Sequence, residues 1–119
     1  KVSFDEISHC ADRYSVSLIA ATLRWIHYTE RQALLVVARE GFVLWARSSS
    51  PAYKAGIYYK TSGRPPVPVP SGSLASGSFS GVDQRTPVAI SEGVWHTDPC
   101  EEMVIFSDSF DFTISVIQF

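Results

Sequence analysis

Apolar positions along the chain recur first at helical and then at β spacing, and each stretch predicts an element. Phe4, Ile7, Ala11 and Tyr14 recur at helical spacing. Ser3 followed by Glu6 is a capping box ahead of them, flanked by Val2 and Ile7 where a hydrophobic staple would sit. Ser15-Val16-Ser17 breaks the pattern, and Ser17 is a good N-cap for a second helix from about Leu18 to Tyr28. That segment is apolar nearly all round, with Arg24 its one charge before Glu30, which predicts a buried helix.

From Ala33 the pattern turns β-like. In "ALLVVAREGFVLWARS" two β-rich runs flank Arg39-Glu40-Gly41, and Gly41 supplies the positive φ that a short hairpin loop needs. Leu34 and Val36 oppose Leu35 and Val37, and Val43 with Trp45 opposes Phe42 with Leu44. Both faces are therefore apolar and the sheet is expected to be covered on both. The helices can cover one face. The other calls for a further layer, a ligand or another chain.

Residues 49–64 are mixed, with "GIYYK" a predicted short strand. "RPPVPVPSGS" is too proline-rich for a central strand and reads as a polyproline-like surface connector, either rigid or a ligand for a proline-binding module. Leu74 to Phe79 predicts a short helix capped by Ser71 or Ser73. Strands follow at about Val88 to His96, Met103 to Phe106 and Phe112 to Phe119, with Asp108 to Asp111 as the last tight turn. The expected fold is α+β: two N-terminal helices packed on a mostly antiparallel sheet of five or six strands. As one compact domain it divides into a helical hairpin (1–30) and a sheet region (31–119) with a Pro/Ser-rich connector at 63–73.

Composition narrows the classes. A chain of 119 residues suits one domain, and 45% hydrophobic with 18% charged residues marks a globular one. The formal charge of −2 argues against a dedicated nucleic-acid binder. Ala11, Ser15 and Ala21 do fit helix-turn-helix spacing. The outward positions of the second helix would then be Ser17, Leu18, Thr22, Leu23 and Ile26, and three large aliphatics do not read base edges. No specific nucleic-acid binding is expected. No apolar run approaches the roughly 20 residues of a membrane span, and no signal peptide is visible. A cytoplasmic location is expected, and the way the chain starts at a cap and stops in a strand suggests a segment of a longer protein.

Candidate chemistry is sparse. There is no HExxH, P-loop, GxGxxG or GxSxG motif. His9, Cys10, His96 and Cys100 could make a Cys₂His₂ set, but their spacing matches no recurrent zinc pattern, so neither a metal nor a cofactor is expected. Two cysteines read as free thiols, with a single bridge left open. Glu101 and Glu102 face opposite ways on a strand, which makes a dyad unworkable and predicts a solvated pair. Aromatic residues are richer: Trp45, Tyr58, Tyr59 and Trp95, with Tyr53, lie on or near strands. They are candidates for a planar small ligand, the alternative being ordinary core packing.

One resemblance gathers these features. "ADRYSVSLIAATLRW", then "ALLVVAREGFVLWARSS", the Pro/Ser connector, "VWHTD" and the closing "FTISVIQF" resemble the C-terminal region of the ImmA/IrrE family of metallo-endopeptidases. Those proteins often also carry an XRE-type helix-turn-helix. The family phrase A-x-x-[FY]-x-V-S-x-x-A-x-x-x-R falls on Ala11, Tyr14, Val16, Ser17, Ala20 and Arg24. The resemblance implies a GAF-like or PAS-like sheet domain that senses or transmits a signal. The family's zinc-binding HExxH and its acidic ligand are absent, so no catalytic residue carries over. The implied partner is the upstream peptidase half or a second copy, with a small ligand possible. The implied role is a non-catalytic sensor or regulatory domain, the alternative being an interaction or dimerisation domain without a ligand. A pocket lined by Trp45 or Tyr58 would favour sensing, and a flat exposed apolar face would favour docking.

Overall fold

The computed structural model describes residues 2–7, 18–59, 65, 67–76, 83–107 and 112–119. Six strands form one antiparallel sheet: β1 (Ala33–Arg39), β2 (Phe42–Ser48), β3 (Val67–Pro68), β4 (Gln84–Ile90), β5 (Cys100–Ser107) and β6 (Phe112–Gln118). Their order across the sheet is β3-β2-β1-β6-β5-β4. An α+β chain with a mostly antiparallel sheet of five or six strands was expected; the structure is α+β, with six antiparallel strands.

The first strands follow from local chemistry. The loop between β1 and β2 is Glu40-Gly41, both with positive φ (53° and 83°). That is the mirror-image turn whose twist matches paired strands. The register then slips between Val37 and Ala38: Val37 faces Trp45 while Ala38 faces Val43. Leu44 is the extra residue of this bulge. Strict alternation would put Val43 and Trp45 on one side, as the sequence pattern suggested. The bulge sends them to opposite faces instead.

The first sheet face is closed by helix. Residues 4–7 are helical, and the capping box is present: the Ser3 N–H donates to Glu6 Oε1 and the Glu6 N–H to Ser3 Oγ, each at 3.3 Å. Residues 8–17, with the rest of the first predicted helix, the Ser15–Ser17 break, His9 and Cys10, lie outside the described residues. Helix α1 (Leu18–Tyr28) buries Ala21, Thr22 and Ile26. Phe4, Ile7 and Ile26 share one core with Leu35, Val37, Met103, Ile114 and Val116. Of the positions that a DNA-reading helix would have to show, Thr22 and Ile26 are buried, Leu18 and Leu23 are half-buried, and Ser17 lies outside the described residues.

The second face is closed by the chain's own irregular segments. Leu74, Ala75 and Trp95 cover Leu34, Val36, Val43, Val104 and Ile117. Leu74–Ser76 form a 3-10 turn, and the rest of the short helix expected to run to Phe79 lies outside the described residues. Ser73 is not the capping acceptor. Ser73 Oγ donates back to the Pro70 carbonyl, and Glu102 does the capping. Its carboxylate accepts from the Leu74 N–H (2.8 Å), the Ala75 N–H (3.0 Å) and Trp95 Nε1 (2.9 Å), and also from the Ser115 hydroxyl. Glu102 is fully buried, so the reading of it as a solvated partner of Glu101 is overturned. Four donors on one carboxylate are what make that burial affordable.

Two other expectations shift. The strand placed at Val88–His96 begins earlier and ends at Ile90. It runs through Pro87, which an edge strand tolerates because one of its sides needs no ladder donor. Residues 91–99 form a turn-rich loop that delivers Trp95 to the second face. "GIYYK" is not a strand over its described residues, 56–59. Among its described residues the Pro-rich connector pairs with β2 at Phe42–Pro68 and Val43–Val67, a two-residue edge strand. The turn expected at Asp108–Asp111 lies outside the described residues.

Candidate functional site

A short helix the sequence pattern did not announce builds one wall of a cleft. α2 (Ser50–Lys54) starts from Ser49, whose hydroxyl accepts from the Ala52 N–H (3.3 Å) and the Ala33 N–H (3.0 Å) and donates to the Arg31 carbonyl (2.7 Å). Proline in its first turn costs nothing there, since that N–H has no helical acceptor. The helix stops at Gly56, with φ of 83°. The Ile57 N–H returns to the Ala52 carbonyl and the Gly56 N–H to the Tyr53 carbonyl, a Schellman closure. Both ends of α2 are therefore fixed, and one end is tied to β1.

Opposite α2 stands α1, and between them runs the outer part of β2. The three enclose an open cleft of about 480 Å³ lined by Leu23, Ile26 and His27 of α1, by Ala46, Arg47 and Ser48 of β2, and by Ser50, Tyr53 and Lys54 of α2, with Tyr58 and Tyr59 behind them. The volume falls in the range of small-ligand sites. The Tyr53 and Tyr58 rings lie 5.1 Å apart at a 33° tilt. Both are exposed, at 60% and 43%, so an aromatic surface faces water at the mouth. Ser48 Oγ donates to the Ile57 carbonyl at 2.7 Å and anchors the segment that carries the tyrosines.

Tyr59 joins the cleft to the second core. Its hydroxyl donates to the Trp95 carbonyl, and the two rings meet edge to face at 6.0 Å. Burial pushes the Tyr59 phenol above its ordinary value of 10.0, and Cys100 nearby adds to the rise.

Of the four aromatic candidates, the structure brings Tyr58 and Tyr59 into the cleft lining. Trp45 is half-buried against the helix-side core. Trp95 is buried beneath the second face as a donor to Glu102. Tyr59 links Trp95 to the cleft, but Trp95 is not part of its lining. Sequence reasoning missed Arg47, Lys54 and His27 as cleft residues. Ser49-Ser50-Pro51 was a readable helix start that would have placed Tyr53 and Lys54 on one short helix. Nothing local marks Arg47 or His27, which reach the cleft only because α1 packs beside β2.

Of the metal candidates, Cys100 is buried in the second core and His96 stacks edge-on against Phe119 at 6.0 Å. Among the described residues no helix is long and apolar enough to cross a membrane. No known family model matches the chain, and no curated protein does.

Proposed function

We propose that this chain is a regulatory module that binds a small ligand in the cleft between α1, β2 and α2, without catalytic machinery of its own. The observation that carries the reading is the tyrosine-lined cleft of about 480 Å³. The sequence resemblance to the C-terminal region of ImmA/IrrE metallo-endopeptidases supplies the context: a GAF-like or PAS-like sensor domain in a cytoplasmic regulator whose zinc-binding half lies elsewhere. Such a module would report ligand occupancy to the peptidase half or to a second copy. Fold and likeness alone do not assign this role; the cleft makes it testable.

The docking alternative drew on an apolar second sheet face. That face is buried under Leu74, Ala75 and Trp95, which weighs against a partner seated there.

The test is an NMR titration of the full chain with a small panel of planar aromatic compounds, neutral and charged. Binding should move the amide signals of residues 23–27, 46–48 and 53–59 together. A panel in which no member perturbs those residues, or in which all changes fall elsewhere, would overturn the reading.

A further inference from the structure

Charge in the cleft runs against that of the whole molecule. The chain carries 12 acidic and 10 basic side chains, yet among the described residues no Asp or Glu lines the cleft, while Arg47, Lys54 and His27 do. Arg47 and Lys54 are exposed, and among the described residues neither is joined to a carboxylate. Two cations that line one cleft with no carboxylate partner among the described residues repel, so an anion that enters between them stabilises the arrangement.

The rest of the lining sets the shape of that anion. Leu23 and Ile26 form an aliphatic wall on the α1 side, and the Tyr53–Tyr58 pair forms an aromatic one on the α2 side. A flat ring has a partner on both sides there. Arg47 supplies a planar fork that matches a carboxylate bidentately, and Lys54 a mobile point charge. Ser50 adds a hydroxyl at the rim.

Resting on the reading of the cleft as a ligand site, we propose that its ligand is an organic anion with a flat aromatic body. The ring lies against Tyr58 and Tyr53, and the acid group lies between Arg47 and Lys54. The cations select for charge, and the walls select for the ring.

Three probes separate these contributions on the full chain: 2-naphthoate, its uncharged analogue 2-naphthamide, and acetate, which has the charge without the ring. By NMR titration 2-naphthoate should bind at least about tenfold more tightly than either of the others, the scale of one charge-assisted hydrogen-bond set. Arg47→Gln and Lys54→Gln should each weaken 2-naphthoate by roughly 3- to 10-fold and leave 2-naphthamide unchanged. Tyr58→Ala should weaken both ring compounds. These side chains are exposed, and an unchanged amide spectrum outside the cleft checks that each variant keeps its fold. Equal binding of 2-naphthoate and 2-naphthamide would overturn the anion preference while leaving the ligand-site reading intact. Failure of both to perturb cleft residues would overturn the two together.

Discussion

The two faces of the sheet are covered by different kinds of matter. On one, helical side chains meet strand side chains: Phe4, Ile7 and Ile26 against Leu35, Val37 and Val116. A helix satisfies its own interior N–H and C=O groups, so this cover brings few polar debts into the core. On the other face the cover is a 3-10 turn and a turn-rich loop. At the start of the turn the Leu74 and Ala75 N–H groups precede any helical acceptor, and a buried carboxylate from the sheet meets them. An apolar core can therefore need a charged residue at its centre. That need is set by the irregularity of the covering segment, not by the sheet beneath it.

The comparison can be broken first at Glu102. Glu102→Ala leaves the Leu74 and Ala75 N–H groups and the Trp95 indole buried without their acceptor. A loss of about 3–5 kcal/mol is expected in urea unfolding. A loss under 1 kcal/mol would mean that the second face does not depend on this acceptor. On the helix side, Ile26→Ala removes a buried branched side chain (1% exposed) and should cost about 2–4 kcal/mol through lost apolar burial and the cavity left behind. The two variants should differ in kind. Glu102→Gln should recover part of the first loss, whereas Ile26→Val should recover part of the second.

A smaller effect sharpens the link between the second core and the cleft. Tyr59 has a raised phenol pKa in the folded protein, so its contribution is complete below pH 10. As pH rises past 10 the unfolded chain loses this proton before the folded one does, and stability falls until the folded phenol ionises as well. Tyr59→Phe should cost about 1 kcal/mol at neutral pH through the lost bond to the Trp95 carbonyl. It should also flatten the decline above pH 10, measured as the midpoint of urea unfolding against pH. The smallest change touches neither core. Glu40 holds a left-handed φ of 53° beside Gly41, a position that asparagine accepts more readily. Glu40→Asn should therefore raise stability by about 0.5–1 kcal/mol.

What the sequence made legible was what neighbouring residues decide together. The capping box at Ser3 and Glu6, the turn at Gly41 and the two-sided apolar runs around Leu34–Val37 all depend on positions within a few residues of each other, and all are present. The losses came where distant segments decide. Glu102 looked like half of a solvated pair because its partners lie at Leu74, Ala75, Trp95 and Ser115, none adjacent to it. The bulge at Leu44 leaves no compositional trace, so Trp45 was placed on the wrong side of β2 relative to Val43. Tyr58 was legible as a ligand candidate on or near a strand. Arg47 and Lys54 were not, because they read as ordinary surface charges until α1 and α2 bracket β2.

The strand order has a kinetic consequence. One hairpin, β1–β2, and one meander, β4–β5–β6, are each built from sequence neighbours, and a single seam between β1 and β6 joins them. Along that seam Leu35 lies opposite Val116, a separation of about 80 positions whose closure costs roughly 4 kcal/mol in chain entropy before any seam contact repays it. The hairpin and the meander are thus able to form early and apart, while the rate of reaching the native state is governed by how often they meet in register. Both sheet cores straddle this seam, so neither face can be completed until it closes.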